Sequence, residues 1–168
     1  MILPIVTNPN PVLRQQARVI EPSEIPSLLP FIQDMFDTLG ANRGVGLAAP
    51  QVGQSISMFV VRVDGRDMVF INPVVISASD DTDEQDEGCL SLPGLVLRIK
   101  RSKTIKVMFR DAAGNQQIID LGEGWSRIFL HEFDHLQGIM IDDRVSKLRL
   151  DLAQRKMAKK HRKQGVRA

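Results

Sequence analysis

The chain lacks a second cysteine: Cys89 stands alone among 168 residues. That excludes an intramolecular disulfide and leaves a reduced core thiol, a reactive thiol or a metal ligand. It also lacks any apolar run long enough to span a bilayer. The opening MILPIVTNPNPVLR has no basic region followed by a hydrophobic stretch and a cleavage site, so a cytoplasmic location is expected. No internal repeat or compositional break divides the chain, and its length suits a single domain over 1–168. What is there is 43% apolar and 25% charged residues, the balance of a globular protein with a proper core. The net charge of +2 hides an asymmetry. Asp80 to Glu87 holds six carboxylates in eight residues, whereas Arg155 to Arg167 holds seven lysines and arginines within a basic end at about 146–168.

Periodicity predicts the elements. From about Glu24 to Leu39, Ile25, Leu28, Leu29, Ile32, Met35, Phe36 and Leu39 recur at three- and four-residue steps, an amphipathic helix with Ser23 as cap and Gly40 as stop. Before it, residues 1–20 wrap the surface around a short helical turn, anchored by Val12, Leu13 and Val19. Strands are expected at Ser57–Val63 and Met68–Ile76, joined by a hairpin turn at Asp64-Gly65-Arg66. Further strands follow at Leu95–Ile99, Thr104–Phe109 and Gln116–Leu121, with a turn at Asp111 to Asn115. The acidic run reads as a solvated loop. A central helix runs from about Gly122 or Gly124 to Gln137, burying Trp125, Ile128, Phe129 and Leu136 and stopping at Gly138. A last helix covers about Val145 to Lys163. The hairpin-length links give an α+β class: small, mostly antiparallel sheets packed around a central metal-binding helix, with a C-terminal helix.

The chemistry gathers at His131-Glu132-Phe133-Asp134-His135. On a helix of 3.6 residues per turn the two imidazoles share a face and can grip one ion, with Glu132 beside them to move a proton. A catalytic site of this kind takes three protein ligands and leaves a position open. Downstream the choices are His161, Asp142 and Asp143; upstream, Cys89 is the stronger candidate, because a thiolate binds such metals tightly and Gly88 frees the adjacent backbone.

GVGLAAPQ at 44–51, EGCLS at 87–91 and HEFDH at 131–135, in that order and at these separations, resemble the three signature motifs of the peptide deformylases. The likeness runs from Pro11-Val12-Leu13-Arg14 to Ile141-Asp142-Asp143-Arg144. It implies a metal-dependent hydrolase that removes the N-formyl group from the initiating methionine of nascent polypeptides and releases formate. The implied cofactor is one divalent ion, natively Fe2+, with Zn2+, Ni2+ or Co2+ as substitutes, held by Cys89, His131 and His135. Glu132 becomes the general base and acid, while the Gln51 amide and the Leu90 backbone N–H become donors to the oxyanion. Gly44, Gly46, Ala48 and Ala49 let the backbone approach the substrate, with Gly46 hydrogen-bonding the peptide. Val45 and Ile128 are expected to wall the methionine slot. Glu87 and Asp134 are candidate acceptors for the histidines' other ring N–H, with Arg101 neutralising Glu87.

Partners implied by the resemblance are N-formylmethionyl nascent peptides and, through the basic C-terminal helix, the ribosome; phosphate contacts there would read no sequence. Four positions depart from the family pattern. Leu130 stands where many members have Gln, Val96 where many have Arg, and Gly124 and Trp125 replace a commonly aliphatic pair. The ligands are untouched, so these changes bear on the pocket. Two other readings stay open: a zinc endopeptidase built on HExxH, which would cleave unblocked peptides, and a deformylase-like protein that keeps its metal without catalysis. The latter has no use for Gln51 or Glu132.

Overall fold

The computed structural model describes residues 1–165, with the side chains of Glu123, Lys160, His161 and 163–165 outside the described set, as are residues 166–168 and hence Arg167 of the basic run. A five-stranded antiparallel sheet forms the centre, in the order β1 (Gly46–Ala48), β2 (Met58–Val63), β3 (Arg66–Ala78), β6 (Thr104–Arg110), β7 (Gln116–Gly122). A separate antiparallel hairpin joins β4 (Thr82–Cys89) to β5 (Leu92–Ser102). The three α-helices are α1 (Leu29–Ala41), α2 (Glu123–Leu136) and α3 (Lys147–Gly165).

Alternation along the strands splits the core into two layers. On one face of the sheet Met58, Val60 and Ile71 meet Ile32, Met35 and Leu39 of α1; on the other Phe59, Val61, Phe70 and Val107 meet Phe129 and Leu136 of α2. Phe129 sits edge-on to both Phe59 and Phe70, with ring centroids 5.1 Å apart in each pair. Losing such a buried ring costs roughly 3–5 kcal/mol. That aromatic seat fixes α2 against the sheet, while its other flank lies against β5. The hairpin expected at Asp64-Gly65 is present: Val63 pairs with Arg66, and Asp64 and Gly65 have φ of 50° and 73°, as a two-residue primed turn requires.

Four expectations change. The first helix opens as a 3-10 stretch, Pro22–Leu28, and becomes α-helical only at Leu29, because Pro26 and Pro30 bring no N–H to a regular ladder. Its start is tied by the Glu24 carboxylate accepting the Glu21 N–H at 2.8 Å, not by Ser23, and the helix passes Gly40. Ile20, not Val19, anchors the N-terminal segment: Val19 is exposed. The acidic run is not a loop. Residues from Thr82 onward form β4, where Asp83, Glu84 and Asp86 stand opposite Arg101, Lys100 and Arg98 of β5, and opposite charges across a ladder stabilise the pairing. Finally, Trp125 and Ile128 are half-buried and not buried. In α3, Leu150, Ala153 and Met157 turn toward the β4–β5 core, while Leu148 and Leu152 are exposed.

Candidate active site

α2 presents three faces. Phe129, Leu130, Phe133 and Leu136 go to the sheet; Arg127 and Asp134 turn toward the β4–β5 side; Ile128, His131, Glu132 and His135 point to the space where β4 ends. Cys89, the last residue of β4, is carried there by the hairpin. Its Sγ lies 3.3 Å from Nε2 of His135, and ligand atoms of Cys89, His131 and His135 all fall within 4.8 Å of one another. A soft sulfur and two imidazole nitrogens on two rigid elements are a donor set suited to a late divalent transition metal. Among the described residues, none of the other expected ligand choices, Asp142 or Asp143, joins this cluster: both accept hydrogen bonds from Arg14 instead.

Glu87 accepts from Nδ1 of His131 at 2.9 Å, which leaves the opposite ring nitrogen for an ion. Burial opposes ionisation of Glu87, but Arg101 and His131 hold its pKa down at about 2. Arg101 is itself buried and forks onto Glu87, at 2.9 Å from both oxygens, while its third nitrogen reaches Asp134 at 2.6 Å. Asp134 therefore supports an arginine and not a histidine; Arg144 completes its coordination. Burial works against a charge on His131, yet the neighbouring Cys89 sulfur and Glu87 carry its pKa up to about 10. Burial, and then the charge of His131, press His135 well below the usual imidazole value. Binding an ion to both rings accordingly releases a proton. Nδ1 of His135 is buried with no partner among the described residues.

Glu132 is almost wholly buried, its pKa is raised to about 7 chiefly by that burial, and Oε2 has no partner among the described residues. Gln51 is locked from the other side: its Oε1 accepts the Ala48 N–H at 2.9 Å, which turns its amide nitrogen to Cys89 Sγ at 3.5 Å and Ser91 Oγ at 3.3 Å. Gly46 has a steric reason to be glycine, since a Cβ there would stand 2.4 Å from Oε1 of Glu132. A cleft of about 680 Å³ opens over these groups, lined by Val45, Gly46, Gln51, Leu90, Ile128 and Glu132 among others. Val45, Gly46, Gln51, Cys89, Leu90, Ile128, His131 and Glu132 thus border one cleft, with His135 beside Cys89 and His131, whereas Asp142 and Asp143 lie apart from it. Arg127 was not singled out from the sequence: it holds Glu87 at 2.6 Å, Asp83 at 2.5 Å and the Ile99 carbonyl at 3.0 Å. Its signal was an arginine one turn before His131 on the same predicted helix. Ser91, inside the second motif, is also fully buried against Gln51.

The family model described as polypeptide deformylase matches residues 2–151. The chain belongs to the peptide deformylase family. A peptide deformylase of Brucella suis biovar 1 (strain 1330) is 36% identical over 163 residues, spanning 94% of this chain and 93% of that one. Among solved structures, the peptide deformylase of Legionella pneumophila superposes with a TM-score of 0.88 at 35% identity, covering 98% of both chains. That of Synechococcus elongatus, in complex with actinonin, has a TM-score of 0.87 at 34% identity, with 93% of this chain and 86% of that chain covered. The α+β fold expected from the sequence is that of these deformylases, and no helix among the described residues is long and apolar enough to cross a membrane.

Proposed function

We propose that this chain, acting as one domain, hydrolyses the N-formyl amide of formylmethionyl polypeptides and releases formate, using one divalent ion held by Cys89, His131 and His135. The observation that carries it is the meeting of a strand-borne thiol with two imidazoles one helical turn apart, next to a buried carboxylate with an oxygen to spare. When bound, the ion acidifies water and polarises the formyl carbonyl, so that a nucleophile exists near neutral pH. The ion native to this donor set is Fe2+, with Zn2+, Ni2+ or Co2+ as substitutes; the sulfur suits all of them, and availability in the cell decides among metals more than affinity.

The chain's own residues do the rest. Glu132 takes the proton of the attacking water and delivers it to the departing amine, a shuttle that suits a carboxylate raised to about 7 by burial. The Gln51 amide, held in place by Ala48, and the Leu90 N–H donate to the oxygen on which charge develops; removing one such donor costs roughly a hundredfold to a thousandfold. Gly46 offers its backbone to the substrate along the open side of β1, and Val45 and Ile128 form part of the methionine slot. A nascent chain as substrate places the enzyme in the cytoplasm.

Formate release from formyl-Met-Ala-Ser is the direct test. Glu132→Ala should lower it by roughly a hundredfold to ten-thousandfold while the protein retains its ion, and peptides without the formyl group should stay intact. Equal formate release by the variant, or cleavage of unblocked peptides, would overturn the assignment. The ribosome is the second partner of this reading, because the sequence of α3 is rich in lysine and arginine and holds no acid after Asp151. Arg155, Lys159 and Arg162 are exposed, so reversing them to Glu keeps the helix yet should weaken ribosome binding at low salt and spare the tripeptide rate; unchanged binding would remove the ribosome from the account.

A further inference from the structure

A second cleft, of about 630 Å³, lies between α3 and β5 and meets the first at Asp86, Gly94 and Val96, which line both. Its floor is apolar. Val96 and Leu152 are 54% and 56% exposed, and Val145 and Met157 are half-buried beside them. Its rim is charged: Arg98, Arg149 and Lys156 line it together with Asp86, and Glu84, 3.9 Å from Arg98 and 3.5 Å from Arg149, offsets a further part of the positive charge. Aliphatic side chains gathered in a channel and left in water mark a surface that something covers.

We propose that this channel is an extended subsite of the catalytic cleft, occupied by downstream residues of the substrate polypeptide, and that it favours an apolar side chain at about the fourth to sixth position. The proposal rests on the deformylase reading above and adds to it which part of the substrate is read. Continuity selects this occupant over any other, since the three shared residues make the channel an outlet of the cleft. The reach fits as well. From Cys89 back to Asp86 is three residues of β4, about 10 Å, and an extended peptide advancing about 3.3 Å per residue arrives there near its fourth position. Val96 forms the threshold, where a short aliphatic side chain lets a chain pass from one cleft to the other.

Three substrates on the full chain test this: formyl-Met-Ala-Ser, and formyl-Met-Ala-Ser continued by Leu-Leu-Ala or by Gly-Gly-Gly. The leucine hexapeptide should exceed the glycine one roughly five- to tenfold in kcat/KM, mainly through KM, as covering part of one or two aliphatic side chains allows. Leu152→Asp, at a site exposed enough to tolerate it, should bring that ratio to about one and leave the tripeptide rate unchanged. Met157→Ser should act in the same direction. Equal rates on the two hexapeptides with the native chain would overturn the subsite while tripeptide hydrolysis upholds the deformylase. A variant slowed equally on all three substrates would assign Leu152 a structural role and overturn it too. Failure to hydrolyse the tripeptide would take down the deformylase reading and the subsite with it.

Discussion

At the scale of single residues, Gly46 and Glu132 are one design. The Glu132 carboxylate, the proposed proton carrier, is packed so closely on β1 that its neighbour has no room for a methyl group. Gly46→Ala must push Glu132 aside or reopen β1 from β2; since misplacement by about 1 Å costs roughly a hundredfold, kcat for formate release should fall about that much. Thermal unfolding should shift little where the Glu132 side chain is what moves, since β1 then keeps its pairing with β2. A variant with native kcat would mean that Glu132 has other usable positions. Glu24 shows the contrasting, purely structural case. The Arg18 guanidinium, together with the Glu21 N–H, holds its pKa at about 2. A depressed carboxylate stabilises the fold in full above its ordinary value near 4.5 and loses that contribution as pH falls through about 2. Glu24→Gln should therefore be less stable than the native chain at neutral pH, with the difference closing as pH falls through about 2. A pH-independent difference in urea midpoints would show that the charge is irrelevant there.

At the scale of elements, the β4–β5 hairpin and α2 are joined by buried charge. Arg101 of β5 holds Glu87 of β4 and Asp134 of α2 at once, and Arg127 returns from α2 to Glu87 and Asp83. Removing one partner from a buried ion pair strands the other charge, so Arg101→Met should cost roughly 3–5 kcal/mol in urea unfolding. A loss under about 1 kcal/mol, the value of an exposed pair, would mean that Arg127 and Arg144 neutralise the carboxylates by themselves. The same hairpin marks the limit of what the sequence reveals. α2 was legible because its apolar spacing, its motif and the closing Gly138, at φ 70°, all agree. β4 was not. Six clustered carboxylates look solvated until the cations opposite them on β5 are known, and that pairing is tertiary. Arg127 escaped for the same reason, its partner Glu87 lying 40 residues away in the chain. The meeting of Cys89 with His131 and His135 was readable through motif resemblance, whereas composition alone left Cys89 with three roles.

At the scale of the whole molecule, an ion held by the proposed ligands would be a clamp as well as a reagent. Cys89 belongs to the hairpin, His131 and His135 to the helix seated on the main sheet, so one ion held by all three would tie the two β units together across α2. Any ligand that binds only the folded chain adds RT ln(1 + [L]/Kd), about 4 kcal/mol at a thousand times Kd, and for a chain of this size that is on the order of 10 °C in Tm. A chelator should lower Tm by that amount in the native chain. Cys89→Ser replaces the soft ligand by a weak one and should start from the lower Tm, with little further response to the chelator. The hairpin should loosen first: its amides exchange faster after chelation, while those of β2 and β3, buried between α1 and α2, change least. An unaltered Tm on removal of the ion would show that the buried charges alone hold the hairpin, leaving the ion with chemistry and no part in the fold.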